Sequence, residues 1–274
     1  MDNSVDISVL FPVHKINPYL KNAILSILNQ SYKSFELLFL DNSLLGIKEN
    51  YWNIDSRIKH IKLPGTFGLA ESLNAGIERA SGKYLARMDF DDESLPDRFE
   101  LQIKFLEKNQ AIDILGTGIE IFGENIDSNS KPGEFLIRPE KPEEILSFLL
   151  YKNPLFHPTV MMRTESIKRN NLRYNPKYDA AEDLELWMRA SHKVKIANLQ
   201  APLLRYRLHK SQFSREDSFN SVYQTNKVRI RHAFWVLIFV RNQRLNASKA
   251  LIRSIMTFPL NFFKKISSSK FKKF

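Results

Sequence analysis

The chain has 274 residues, 43% apolar and 26% charged, values that suit a globular protein with a full core and exclude disordered and collagenous classes. It contains no cysteine, so neither a disulfide framework nor a Cys-based zinc site is available. The net charge of +11 is concentrated at one end: twelve lysines and arginines and no acid follow Asp217, which leaves residues 1–217 near neutrality.

The start, Met1-Asp2-Asn3-Ser4-Val5-Asp6, has neither the basic end nor the apolar run of a signal peptide, so export is not expected. Residues 5–11 read as a strand buried on both faces, ending at Pro12-Val13-His14. Asn17-Pro18 then opens a helix with Leu20, Ile24, Ile27 and Leu28 on one face. Residues 35–40 form a second apolar strand ending in Asp41-Asn42-Ser43, and 57–63 a weaker third closed by Pro64-Gly65. Residues 68–80 have helical periodicity, with Leu69, Leu73, Ile77 and Ala80 inward. Ser81-Gly82 stops that helix, and 83–88 is again a strand. Such alternation with short connections predicts a parallel sheet wound with helices on both sides. No Gly-x-Gly-x-x-Gly follows the first strand and no phosphate-loop signature occurs, which argues against a dinucleotide dehydrogenase or a phosphate-loop nucleotidase.

The fourth strand ends in Asp89-Phe90-Asp91-Asp92. In open α/β sheets the carboxyl ends of strands border the ligand crevice. Alternation along a strand lets Asp89 and Asp91 face one cation while Phe90 turns inward. Hard oxygen ligands of this kind suit Mg²⁺ or Mn²⁺, with a diphosphate completing the shell. An isolated acidic run is often only a solvated turn; three acids crowded at the end of an apolar strand repel one another unless a cation or donor compensates.

Further on, 96–109 reads as a helix, 112–122 as a strand, 123–139 as a polar mobile loop and 142–151 as a short helix. Asn153-Pro154-Leu155-Phe156-His157-Pro158 places a histidine before a proline and leads into a strand, either an edge strand entered through a turn, as its prolines suggest, or a segment in direct contact with substrate. Glu182-Asp183 followed by Leu184, Trp187 and Met188 marks a helix amino terminus, where carboxylates gain from the dipole. After a short strand comes Tyr206-Arg207-Leu208-His209, whose histidine is either a loop residue or a ligand for metal or phosphate.

Taken together, the first strand with Pro12-Val13-His14, the run from Gly65 through Asn74 to Arg87-Met88-Asp89-Phe90-Asp91-Asp92, Glu182-Asp183 with Leu186-Trp187, and Arg207 with His209, Gln212 and Ser214 resemble the family 2 glycosyltransferases. The resemblance covers about residues 5–215. It implies the α/β GT-A fold, a Rossmann-like, mostly parallel sheet flanked by helices, and inverting transfer of a sugar from a nucleotide-diphosphate donor, a UDP-sugar, to a glycan or lipid-linked acceptor in surface polysaccharide synthesis. On it, Asp91 binds Mn²⁺ or Mg²⁺, aided by Asp89 and His209. Asp89 also contacts the ribose, while Pro12, His14 and Asp41 line the base and ribose pocket, with Asn74 and Arg87 nearby. Asp183 matches the general base, and Glu182 assists or holds the acceptor. Many relatives carry two acids where this chain has Asp41-Asn42, and an aromatic residue where it has His14, departures that bear on nucleotide preference.

The expected organisation is a catalytic domain over 1–217, with a nucleotide half of about 1–92 and an acceptor half of about 93–217, followed by a basic amphipathic helical tail over 218–274. Aromatics beside lysines and arginines describe an element lying on an anionic membrane surface, each basic residue contributing on the order of 1 kcal/mol. The alternative is a helical pair packed on the domain. With no signal peptide, the expectation is a cytoplasmic enzyme peripheral on the inner membrane face. No nucleic-acid-binding motif accompanies the basic tail. Two competing readings are a sugar nucleotidyltransferase, which lacks support because no glycine-rich activating loop follows the first strand, and a catalytically silent binding module of the same fold.

Overall fold

A computed structural model describes residues 5–44, 46–47, 51–124, 131–178, 180–209, 219–240, 243, 246–249 and 251–252. Residues 125–130 of the polar loop, Gln212, Ser214 and the basic run from 253 onward lie outside the described residues.

Strands β1 (Ile7–Val13), β2 (Phe35–Asp41), β3 (Ile58–Lys62) and β4 (Tyr84–Arg87) are parallel in the order β3-β2-β1-β4. Helices α1 (Leu20–Leu28) and α2 (Leu69–Arg79) cover opposite faces, and strand alternation explains why. Ile7, Val9, Phe11 and Phe39 share a core with Ala23, Ile24 and Ile27 of α1, whereas Leu10, Leu38 and Leu40 share one with Leu73 and Ile77 of α2. Both faces of β1, β2 and β4 are covered, so every residue of these strands is buried, whereas β3, at the sheet edge, carries Lys59, His60 and Lys62. Helix α1 begins at Leu20, after Asn17 Oδ1 has accepted the Tyr19 N–H at 2.9 Å, so the Asn17-Pro18 pair forms the turn before the helix.

The buried Glu36 ties this half together near the start of the strands, accepting from Ser8 Oγ (2.5 Å), Ser81 N–H (3.0 Å) and Ser81 Oγ (2.7 Å). A Cβ on Gly82 would lie 2.6 Å from the Ser8 nitrogen, so only glycine lets the chain pass into β4 here.

The second half comprises β5 (Glu93–Ser94), α3 (Arg98–Lys108), β6 (Ile114–Gly123), β7 (Phe135–Leu136), α4 (Pro142–Phe148), β8 (Met161–Arg163), α5 (Thr164–Arg169), α6 (Glu182–Ala190) and β9 (Ile196–Leu208). The sheet runs β3-β2-β1-β4-β8-β6-β9-β5, with β7 paired to β6. Strand β8 is therefore central, antiparallel to β4 and β6, rather than at an edge. Pro158 sits in the 3₁₀ turn His157–Thr159 before the strand, so no proline interrupts the ladder. The polar loop contributes β7, and the strand expected to be short and to end before Tyr206 is β9, whose 13 residues run through Tyr206 and Arg207 and pair along all of β6.

Helix α7 (Phe219–Phe239) lies against the domain through Val228, Ala233 and Val236. His192 stacks on Trp235 at 3.5 Å, and its Nε2 is 3.1 Å from His232 Nδ1. No helix among the described residues is long and apolar enough to cross a membrane.

Burial lowers His192 to about 4, and burial with the adjacent His192 lowers His232 to about 3. Unfolded histidines titrate near ~6.5. Below that pH the unfolded chain binds protons that the native rings refuse, so stability falls as pH drops through 6.5 and levels off once the native rings titrate. For His232 alone the loss between pH 7.5 and pH 5 is about 2 kcal/mol. Urea denaturation at the two pH values is expected to show a shallower dependence in His232→Gln than in the parent chain; equal slopes would refute the coupling.

Candidate active site

The sheet ends β4 at Arg87, and the buried Met88 and Phe90 anchor the following loop, leaving Asp89 and Asp91 half-buried at the strand tip. Ligand oxygens of Asp89, Asp91 and Asp92 lie within 4.8 Å of one another. Asp92 is only 1% exposed; its Oδ1 accepts the Arg207 N–H at 2.8 Å, while Oδ2 is buried without a hydrogen-bond partner. Burial, then repulsion from Asp91 and Asp89, pushes the Asp92 carboxyl well above the usual range. Burial and Asp89 also raise Asp91, against the pull of His209 and Arg87. A cluster of hard oxygens with one orphaned lone-pair set and an excess of negative charge fits a divalent cation such as Mg²⁺ or Mn²⁺.

The return strand β9 fastens this loop. Arg207 donates from Nε to the Asp91 carbonyl (2.8 Å) and from Nη2 to Glu93 (2.7 Å), with its guanidinium over the rings of Tyr19 (4.3 Å) and Phe122 (4.1 Å). Just beyond the strand, His209 Nε2 is 3.0 Å from Asp91 Oδ2, and its ring packs on Tyr19.

Arg87 is the buried cation between two groups of acids. It is 2% exposed and pairs with Asp89 through Nη1. Burial alone would lower its pKa, but Asp89, Tyr174 and Asp92 raise it, so the guanidinium stays charged. Its positive charge favours the ionised forms of Asp91, Asp92 and Asp183, and helps drive the buried His157 well below its usual value, after desolvation. Behind it, Arg98 donates to the Arg87 carbonyl at 2.8 Å and is itself lowered to about 9 by burial and by Arg87.

The second group opens α6. Glu182 and Asp183 lie in its first turn, where unpaired N–H groups favour negative charge. Asp183 Oδ1 accepts the Leu184 N–H at 2.6 Å, and Oδ2 accepts from Asn153 Nδ2 at 2.5 Å. Burial raises the Asp183 carboxyl, opposed by these two donors and Arg87. Glu182 Oε1 lies 3.9 Å from His157 Nδ1, and His157 Nε2 is 2.9 Å from the Tyr174 hydroxyl.

The remaining residues singled out in the sequence are spread along the parallel half. Pro12 is buried in β1, and His14 is exposed, edge-on to the Phe90 ring at 5.0 Å. Asp41, 1% exposed, accepts from Ser43 N–H (3.0 Å) and Oγ (2.6 Å) through Oδ1, and its Oδ2 lies 3.1 Å from His60 Nε2 and 3.3 Å from Lys62 Nζ. Asn74 brackets the Tyr174 backbone, donating to its carbonyl (2.8 Å) and accepting from its N–H (2.9 Å), so its amide ties α2 to the segment beneath α6. In the sequence Asp92 and Arg207 are visible only as members of their motifs, Asn153 and His157 only through the Asn-Pro and His-Pro pairs, and Tyr174 through no signal.

The model for "Glycosyl transferase family 2" matches residues 8–170. The chain belongs to glycosyl transferase family 2. Its relatives include the O-antigen biosynthesis glycosyltransferase WbnJ of Escherichia coli, 33% identical over 213 residues, covering 74% of this chain and 80% of that protein. Among solved structures, S. aureus TarS 1-349 in complex with UDP-GlcNAc has a TM-score of 0.67 at 18% identity, over 95% of this chain and 73% of that one. A second TarS structure, at TM-score 0.65, is covered over 43% of its length. The mannosyltransferase PcManGT of Pyrobaculum calidifontis, in complex with GDP-Man and Mn²⁺, has a TM-score of 0.61 at 10% identity, over 98% of this chain and 77% of that one. The fold is thus GT-A and the family 2 chain is a glycosyltransferase, with relatives in polysaccharide biosynthesis.

If the acid cluster holds a cation, Asp92→Asn relieves repulsion in its absence. The variant is expected to melt several degrees higher than the parent without divalent ions, a gain of about 1 kcal/mol, and to lose most of the stabilisation that Mn²⁺ gives the parent. Equal Mn²⁺ stabilisation in both proteins, read by calorimetry, would exclude Asp92 from the cation's surroundings.

Proposed function

We propose that this chain is an inverting glycosyltransferase that moves a sugar from a UDP-sugar to a glycan or lipid-linked acceptor in the synthesis of a cell-surface polysaccharide. The observation that carries the reading is the pairing, across the buried Arg87, of the Asp89-Asp91-Asp92 cluster with the Asp183 carboxylate at the start of α6. UDP-GlcNAc in TarS and Mn²⁺ in PcManGT support a nucleotide-sugar donor and a divalent ion.

Asp91, with Asp89 and Asp92, would hold Mg²⁺ or Mn²⁺, and His209 orients Asp91 from the far side. When bound, the cation neutralises charge that develops on the departing diphosphate. Pro12, His14 and Asp41 border the base and ribose, with Arg87 on the diphosphate side. The acceptor hydroxyl attacks the anomeric carbon from the face opposite the diphosphate. Its proton passes to Asp183, the bond from the anomeric carbon to the diphosphate oxygen breaks, and nucleoside diphosphate leaves with inversion. Glu182 holds the acceptor beside Asp183. In this reading residues 1–217 are the catalytic domain, divided near 92 between donor and acceptor halves.

Residues 218–274 are the attachment element. Helix α7 turns Phe234 (52% exposed) and Ile238 (62%) outward, with Phe239 (67%) exposed at its end beside Trp235; Lys227 and Arg231 are exposed but reach back to Tyr178 of the domain, Arg231 donating to its hydroxyl at 3.1 Å, and no acid follows Asp217. An exposed apolar face in a stretch this basic suits the anionic inner leaflet, where a lipid-linked acceptor is within reach. The full chain is expected to co-sediment with phosphatidylglycerol vesicles, and the pair Phe234→Asp and Ile238→Asp to weaken this about tenfold. Equal binding to neutral phosphatidylcholine would remove the electrostatic part of the proposal.

The donor test uses a panel of UDP-, GDP- and dTDP-sugars with the purified protein. Mn²⁺-dependent UDP-sugar binding is expected, lost in Asp91→Ala and kept in Asp183→Asn, whose turnover falls at least about 10²-fold. Failure of every nucleotide sugar to bind, with or without Mn²⁺, would leave a silent binding module of this fold.

A further inference from the structure

The turn Asn153-Pro154-Leu155-Phe156-His157 runs beside the amino end of α6 and presents one polar side chain to each of its two leading acids. Asn153 Nδ2 donates to Asp183 Oδ2 at 2.5 Å, and His157 Nδ1 lies 3.9 Å from Glu182 Oε1. The turn is held from three sides. Asn198 Nδ2 donates to the Pro154 carbonyl (3.0 Å) and the Pro139 carbonyl (2.6 Å), Leu155 is 2% exposed in the core, and Thr159 Oγ1 donates to the Phe156 carbonyl (2.8 Å). The Leu155 N–H points at Asn153 Oδ1 at 3.3 Å. That contact decides which end of the amide faces the acid, because Oδ1 is taken by a donor and Nδ2 is left for the carboxylate.

We propose that Asn153 is a positioning residue for sugar transfer: from a rigid turn, its amide orients the Asp183 carboxylate and keeps it ready to accept the proton of the acceptor hydroxyl. This rests on Asp183 as the base. An ionised carboxylate has about four acceptor positions; Leu184, Asn153 and the residue's own backbone N–H engage it, leaving one for a hydroxyl. A donor to the ionised form favours that form, and so offsets part of the burial that opposes it. The other charged or titratable groups facing this carboxylate are Arg87 from β4, which also favours the ionised form, Glu182 on the same helix turn, and the Tyr174 phenol. Orientation matters equally, since a misplacement of about 1 Å can cost about 10²-fold in rate.

The test follows the Asp183 carboxyl by ¹³C NMR titration, its signal assigned by absence in Asp183→Asn, alongside the pH dependence of UDP-GlcNAc hydrolysis. In Asn153→Ala the Asp183 midpoint is expected to rise and the acid limb of kcat to move to higher pH with it. At pH 7, kcat falls about 10- to 100-fold while the donor KM stays near the parent value. The equal-sized Asn153→Asp sets a second carboxylate against the first and moves the limb further up; it decides the matter if the alanine variant does not fold. An unchanged Asp183 titration and an unshifted limb in a folded variant, with Asp183→Asn inactive, would overturn the positioning role and leave the base in place. Undiminished turnover in Asp183→Asn would instead remove the base, and the positioning role with it.

Discussion

The structure depends on a buried guanidinium surrounded by more negative charge than it can neutralise. Arg87 closes β4, pairs with Asp89, and is felt by Asp91, Asp92, Asp183 and Tyr174. A buried charge is tolerable only when paired, and removing one partner is costly because it strands the other. Arg87 therefore links the acids at the tip of β4 to Asp183 at the start of α6, and both groups feel a change in its charge or position. The Arg98 contact to its carbonyl fixes the backbone from which it projects, and Arg98 itself feels Asp92.

The acids themselves work against stability. Asp92 is buried with one oxygen orphaned and two carboxylates close by, an arrangement whose repulsion a cation would relieve. Strain of this kind persists when the surroundings over-determine it. Here they do: Met88 and Phe90 anchor the loop from inside, and Arg207 grips its backbone, the Asp92 carboxylate and Glu93 from β9. The scaffold holds the negative cluster in place ahead of any ligand, the preorganised electrostatics that transfer chemistry exploits.

Helix α7 packs on the domain, as the second expectation for the basic tail had it. Its inner face packs on the domain through Val228, Ala233, Val236 and the His192–His232–Trp235 stack, while Phe234, Ile238 and Phe239 remain outward.

What the sequence determined by itself is local and periodic. The alternation of apolar strands with amphipathic helices specified the parallel half, because side chains two apart in a strand and three or four apart in a helix share a face whatever lies beyond. The same logic located the acids at the tip of β4 and at the amino end of α6, since an apolar run that stops in carboxylates marks an element's end. Tertiary structure decided the rest. Whether β8 lay at an edge or in the centre depended on which strands reached it, and Pro158 was uninformative because the turn absorbed it. Arg207 and His209 meet the acid loop only through the register of a long β9, and Asn153 meets Asp183 only because Asn198 and the core fix a turn thirty residues away in the chain. Asn74 shows the converse: its spacing in α2 was legible, but its engagement by the Tyr174 backbone, a hundred residues on, was not. Hydrogen bonds between distant segments depend on register and packing, which no local pattern of residue types encodes.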